Sequence, residues 1–247
     1  VVKALLYVLA ACSVPDLDLT GKQCPCPTGY VCDTSRNMCV RSLPADGPRI
    51  DSLIDSGNGA TCLTSAPYSR LAYSTATFGD FTTAWMTLGG IWSAMGSELV
   101  QTSTAASLAV AYYSVGSTAD YRLVTTMHAT TTGAGDAIEL SLRIDPTNVH
   151  MYHCNWQPSD GGFVLQRTDN ITMTHVINMT TIDVSQIPAS TPQVMEFQVT
   201  GGSFECCLRG VTGARLAGSD TMYTSGAVGV KTYLMGGGFH DFSVYAQ

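Results

Sequence analysis

Ala137-Ile138-Glu139-Leu140-Ser141-Leu142-Arg143-Ile144-Asp145 alternates aliphatic and polar side chains with a period of two. Successive side chains of a strand point to opposite faces, so the stretch predicts a strand with Ile138, Leu140, Leu142 and Ile144 buried and Glu139, Ser141, Arg143 and Asp145 toward water. Upstream, Tyr121 to Ala129 is rich in aromatic, β-branched and threonine residues, and Thr130-Thr131-Thr132-Gly133-Ala134-Gly135 joins the two runs, which read as an antiparallel pair. Downstream, Asp145-Pro146-Thr147-Asn148 predicts a turn, because proline and asparagine favour turn positions and neither extends a central strand. Val149 to Trp156 reads as the next strand, and Phe163 to Arg167 follows the turn Pro158-Ser159-Asp160-Gly161-Gly162.

Similar runs recur at Gly90 to Ala94, Glu98 to Gln101, Leu108 to Tyr113, His175 to Asn178, Gln193 to Thr200, Phe204 to Arg209, Ala227 to Met235 and Phe239 to Tyr245. So many short strands at turn-length separations predict an all-β sandwich or barrel. The composition agrees, with 13% charged residues, 45% hydrophobic ones and glycine spread along 247 residues. The formal net charge is −7 and no Lys/Arg cluster occurs, which excludes the electrostatic footprint of a nucleic-acid binder.

The order of short motifs narrows the fold. Trp85 with Gly89-Gly90-Ile91-Trp92 and Gly96-Ser97-Glu98-Leu99, then Ala119-Asp120-Tyr121-Arg122-Leu123, Ile144-Asp145-Pro146-Thr147-Asn148, Ser225-Gly226-Ala227-Val228-Gly229-Val230 and Phe239-His240-Asp241-Phe242-Ser243-Val244 follow one another. Together they resemble the concanavalin A-like, laminin G-like jelly rolls of bacterial secreted proteins, over roughly Phe78 to Tyr245. The resemblance implies an antiparallel two-sheet jelly-roll sandwich whose first and last strands lie side by side, which protects edges that would otherwise pair with other chains.

Before this domain the text changes character. Val1-Val2-Lys3 leads into an apolar run from Ala4 to Ala11, too short to span a bilayer as a helix, which ends at Cys12. Leu9-Ala10-Ala11-Cys12 resembles the bacterial lipobox, which implies export, a signal peptide over 1–11 and a lipid on Cys12 that attaches the protein to the membrane. The competing expectation is an ordinary secretory signal. Residues 12–23 then form a tether carrying Asp16 and Asp18. Cys24, Cys26, Cys32 and Cys39 crowd residues 24–40, and Cys24-Pro25-Cys26-Pro27-Thr28-Gly29-Tyr30-Val31-Cys32 resembles half of an epidermal-growth-factor-like module. So small a segment needs crossing disulfides to fold, and Cys24 with Cys32 and Cys26 with Cys39 are the expected pairs. Zinc is disfavoured by the spacing and by the absence of a nearby histidine. Residues 41–60, punctuated by Pro and Gly, read as a linker, and 61–247 as the jelly-roll domain. There Cys206 and Cys207 point to opposite faces of one strand and should find different partners, Cys62 and Cys154 in an order the sequence leaves open.

Function is less legible, because domains of this fold include lectins, interaction modules and glycoside hydrolases. Hydrolysis needs two facing carboxylates, and on the best strand Glu139 and Asp145 would lie roughly 20 Å apart. Glu98, Glu196 and Glu205 are isolated, so no catalytic residue is assigned. Binding of glycan or of an envelope or extracellular protein is the preferred expectation. Glu139 and Arg143 on the polar strand face, Arg167, and Trp156 beside a glycine-rich turn are the candidate ligand contacts, Trp156 having core packing as its alternative. A purely structural envelope role is the third possibility. No cofactor is required by the motifs, although the resemblance implies an optional structural calcium near Asp80 and Asp241, where the first and last strands would meet. His128, His150, His153, His175 and His240 show no spacing for catalytic zinc. Asn170-Ile171-Thr172 and Asn178-Met179-Thr180 match the N-glycosylation pattern but read as coincidental in a bacterial chain.

Overall fold

Two antiparallel sheets face each other across the core of this protein in a computed structural model, which describes residues 30–33, 38–41, 61–65, 68–115, 119–170, 173–188 and 190–246. The chain divides into two units, Val1–Asn58 and Gly59–Gln247. In the first, β1 (Tyr30–Asp33) pairs with β2 (Met38–Arg41), which sets Cys32 opposite Cys39 in the register. Cys12, Cys24 and Cys26 lie outside the described residues, and so do the lipid site and the disulfide pairs expected of the Cys-rich segment.

The second unit holds β3 (Arg70–Thr75), a one-turn helix α1 (Phe81–Ala84), β4 (Trp85–Leu88), β5 (Trp92–Met95), β6 (Glu98–Gln101), β7 (Ala109–Tyr113), β8 (Tyr121–Ala129) and β9 (Ala137–Asp145). It continues with β10 (His150–Gln157), β11 (Gly162–Asp169), β12 (Thr174–Thr181), β13 (Gln193–Thr200), β14 (Ser203–Leu208), β15 (Arg215–Ser219), β16 (Ala227–Tyr233) and β17 (Gly237–Ala246). The seven-stranded sheet runs β12-β11-β10-β9-β16-β7-β4, and the eight-stranded sheet β15-β14-β13-β8-β17-β6-β5, with β3 also on β17. This is the expected jelly-roll sandwich. Its first strand, β3, lies against its last, β17, from Thr75–Phe242 to Arg70–Ala246.

One pairing differs from expectation. The runs Tyr121–Ala129 and Ala137–Asp145 do not form a hairpin: β8 sits between β13 and β17, whereas β9 sits between β10 and β16 in the other sheet. Each run carries its own apolar face, and crossing from sheet to sheet turns both faces into one interior. Leu140, Cys154, Leu165 and Val230 from one sheet thus meet Leu123, Phe197, Cys206 and Val244 from the other, all buried. The turn after β9 forms as the sequence predicts, with Asp145 Oδ1 accepting the Thr147 amide at 2.8 Å and Oδ2 the Asn148 side-chain amide at 2.8 Å.

The alternation of β9 breaks once, at Arg143, whose φ is +52°. The register with β10 and with β16 shifts there, as a β-bulge requires. Glu139 and Ser141 keep their outward phase, but Arg143 turns toward the interior and Ile144 moves to the outer face. On that face Ile144 packs in a small apolar cluster with Val110, Tyr112 and Met151.

Candidate functional site: a polar cleft on the outer face of the seven-stranded sheet

The register of four strands brings polar side chains into a block. Lys231 on β16 lies opposite Glu139 on β9, and Glu139 lies opposite Asn155 on β10. One row along, Ser141 lies opposite His153, which lies opposite Gln166 on β11. These positions share one face because they are direct cross-strand partners or two residues apart. All of them but Ser141 line a cleft of about 300 Å³, with Gln157, Thr168, Thr174, Ser107 and Tyr233 along its walls.

The floor is charged yet sealed. Lys231 Nζ lies 2.5 Å from Glu139 Oε1, and His153 Nδ1 lies 2.5 Å from Glu139 Oε2. The second ring nitrogen of His153 is 2.7 Å from Thr168 Oγ1. Glu139 and His153 are each 1% exposed. Burial would raise the carboxyl, but the Lys231 charge and the contact with His153 outweigh it and hold Glu139 down at about 2. Burial, aided by Lys231, pushes His153 below its usual value against the pull of Glu139, so the ring is neutral at neutral pH. Glu139 and Lys231 therefore cancel, and the floor carries no net charge. Beside them Asn155 lines the cleft at 3% exposure, and its buried Oδ1 has no hydrogen-bond partner among the described residues, nor does Ser141 Oγ. An unsatisfied carbonyl of this kind costs about 1–3 kcal/mol until a donor reaches it. Tyr233, 37% exposed and two residues beyond Lys231 on β16, presents a ring over which the ammonium stands at 5.8 Å.

Of the four ligand contacts expected from the sequence, the structure places Glu139 in this cleft and the other three elsewhere. Arg143 is turned inward by the bulge. Its guanidinium donates to the carbonyls of Ala119, Tyr223 and Gly201 and to Asp120, and it lies 5.4 Å from the Phe204 ring. Trp156 faces the core at 1% exposure, its alternation with Asn155 sending the indole to the opposite side from the cleft. Arg167 faces the same side as its register partner Tyr152, where it clamps Asp169 at 2.6 and 2.9 Å and also binds Asp220. Alternation along Val149 to Trp156 sets His153 and Asn155 on the face opposite Trp156, but no motif marks them, nor Lys231 and Tyr233. A lysine between Val230 and Thr232 in an otherwise apolar strand was the available signal, because a lysine there must find a buried partner.

The cysteines resolve the open pairing. Cys206 faces inward and bonds Cys154 across the two sheets, while Cys207 faces outward and bonds Cys62. The carboxylates considered for calcium each hold a side-chain partner. Asp80 accepts the Tyr73 hydroxyl at 2.7 Å and Asp241 pairs with His240 at 2.7 Å. Among the described residues no group of three or more His, Cys, Asp or Glu side chains could hold an ion.

No protein-family model matches the chain, and no curated protein matches it by sequence. Solved structures do match by fold. The carbohydrate-binding module CBM66 from Bacillus subtilis superposes with a TM-score of 0.55 at 18% identity, over 66% of this chain and 96% of that one. The exoplasmic/lumenal domain of VIP36 in its Ca2+/Man3GlcNAc-bound form gives 0.53 at 10% identity, over 74% and 91%. The β-glucanase of Bacillus licheniformis gives 0.52 at 8% identity, over 74% and 100%. The fold class is thus the antiparallel two-sheet jelly-roll sandwich.

Proposed function

We propose that this protein is a glycan-binding module whose ligand, a neutral saccharide, occupies the cleft floored by Glu139, His153, Asn155 and Lys231. The observation that carries this reading is the unpartnered, buried Asn155 Oδ1 beside a charge-balanced floor and the exposed Tyr233 ring. A sugar supplies what such a site lacks: a hydroxyl donor for the carbonyl and an apolar ring face for the tyrosine. A carboxylate or sulfate on the ligand would meet Glu139 as well as Lys231, which favours uncharged sugars. The names of the similar structures, a carbohydrate-binding module and a Man3GlcNAc-bound domain among them, support the same class. Hydrolysis fits less well, since Glu139 is the only carboxylate among the described residues lining the cleft and a group held near 2 makes a poor general acid at neutral pH.

A glycan array probed with the full chain, run beside an assay for reducing-sugar release, tests this. Binding to neutral glycans is expected, weakened about tenfold or more by Asn155→Ala and by Tyr233→Ala. Silence across the array would sink the proposal, and sugar release abolished by Glu139→Gln would replace it with catalysis.

We further propose that the module is displayed on a bacterial envelope by lipid on Cys12, with residues 24–40 as a stapled spacer. Lys3, the apolar run from Ala4 to Ala11 and Leu9-Ala10-Ala11-Cys12 support it. Incorporation of a fatty-acid probe should be lost in Cys12→Ser, with release from the membrane fraction; unchanged labelling would refute the anchor.

A further inference from the structure

The chain enters the sandwich on the face opposite the cleft. Residues 61–65 lie as a strap on the outer side of the eight-stranded sheet, where Thr61 Oγ1 donates to Glu196 at 3.0 Å and the Thr64 and Ser65 amides donate to Glu205 at 2.6 and 3.0 Å. Glu196, fully buried, also holds Arg122 and Arg209. Within this strap Cys62 is bonded to Cys207. The next residue back, Cys206, crosses the core to Cys154, and Cys154 stands between His153 and Asn155, two residues of the cleft floor.

From these bonds we infer that the two disulfides and the Cys206-Cys207 peptide form one covalent line that carries tension from the chain entering the domain to the strand that holds the ligand. Along the backbone Cys62 and Asn155 are 93 residues apart, but along this line only Cys207, Cys206 and Cys154 stand between them. Any pull on the residues before Thr61 reaches the domain through the strap. Without the Cys62 bond it would meet the strap's hydrogen bonds to Glu196 and Glu205 and then β3, which among the described residues pairs with β17 alone and is largely exposed, so hydrogen bonds worth about 1 kcal/mol each would be broken one after another. The Cys62–Cys207 bond lies ahead of β3 and takes it out of the path. The Cys154–Cys206 bond then spares the ladders of the eight-stranded sheet by crossing the interior directly. A module so built keeps its grip when its ligand is fixed to one body and its N-terminal side to another, and both ends of the line face outward on opposite sheets. The identity of the outer end as a glycan site rests on the function proposed above; the line itself does not.

Single-molecule pulling on the full chain tests the inference without any ligand. One handle is attached at the N-terminus and the other through a clickable residue at position 157, the last of β10 on the cleft wall. The residues before Cys62 contribute the same length to every variant, so differences between variants are read. Between Cys62 and position 157 the backbone holds 95 residues, and between position 157 and Cys207 it holds 50. At about 3.3–3.6 Å per residue, Cys62→Ala/Cys207→Ala should stretch about 300 Å beyond the oxidised protein, and Cys154→Ala/Cys206→Ala about 150 Å. Adding reductant to the native chain should release at least the longer extension, the expected disulfides among Cys24, Cys26, Cys32 and Cys39 adding their own length, which keeps the test decisive if either variant fails to fold. Oxidised native protein releasing 100 Å or more from the domain, or equal extensions in the two variants, would overturn it. A silent glycan array with the expected extensions would remove the ligand and leave the line standing; binding without them would do the reverse.

Discussion

Lys231 is the residue on which the cleft floor depends, because among the described residues it alone brings a cationic side chain to Glu139 where water cannot reach. Lys231→Met keeps the stem and removes the charge, so a buried carboxylate is left uncompensated and unfolding free energy should fall by about 3–5 kcal/mol in urea titrations at pH 7. The same carboxylate predicts an acid limb. The unfolded Glu139 binds its proton near 4.5, the folded one near 2, so the unfolded state takes up more protons in that interval and stability falls as pH drops through it. His153 acts in the same direction at higher pH, since folding holds it below its ordinary 6.5 and protonation favours the unfolded chain. Glu205, lifted by burial but held near 2 by Ser65 and Thr64, adds to the lower step. Stability should therefore decline from about pH 6.5 downward, and Glu139→Gln should cost more at pH 7 than at pH 3. A penalty independent of pH would show that Glu139 is not held ionised by its neighbours. These residue-level roles were only partly legible: alternation gave Glu139 its face, but its partners come from β16 and β10, and one sequence does not print register.

At the scale of an element, the bulge in β9 decides which side chains the cleft receives. Alternation alone would place Arg143 on the same face as Glu139 and Lys231, next to Ser141, and leave that face with a net positive charge. The left-handed backbone at Arg143 instead sends the guanidinium to three carbonyls and Asp120 at the end of the sandwich. Gly226 makes this possible. Its φ is +149°, and a Cβ built on it would stand 2.5 Å from the Arg143 carbonyl carbon. Gly226→Ala should thus push the bulge away and cost about 2–3 kcal/mol, read as a lower midpoint in thermal unfolding together with faster amide exchange near Arg143. Unchanged exchange there would mean that the close approach of Gly226 does not pin the bulge. Most strands were readable because they carry a clean apolar face, whereas β3, β4 and β15 were not. β3 is an edge strand with Leu71 exposed, and β15 is Arg-Leu-Ala-Gly-Ser, with little for burial to write into the sequence. A bulge leaves still less trace, since Arg143 satisfies the period-two pattern that the backbone there abandons.

Over the whole molecule, motif order announced the jelly roll, but not which strands face each other; β8 and β9 are neighbours in sequence and belong to different sheets. Of the two bonds made by the vicinal cysteines, Cys154–Cys206 ties those sheets whereas Cys62–Cys207 ties the strap to one of them, and the two should contribute differently. In the chain-entropy picture a bridge over 52 residues stabilises by about 4 kcal/mol and one over 145 residues by about 5 kcal/mol. That ordering holds if both act only on the unfolded chain. The native contacts argue the opposite order. Cys154 and Cys206 are both fully buried between Leu165, Phe197 and their neighbours, so Cys154→Ala/Cys206→Ala also leaves a void where two sulfur atoms filled the core. Cys62 instead holds a surface strap that Glu196 and Glu205 continue to bind after the bond is gone. Urea titration of the two double variants separates the accounts. We expect the inner pair to cost more despite its shorter loop, with the outer variant keeping a folded sandwich and showing faster exchange confined to residues 61–65. A larger loss from the outer pair would mean that loop closure outweighs packing in this fold.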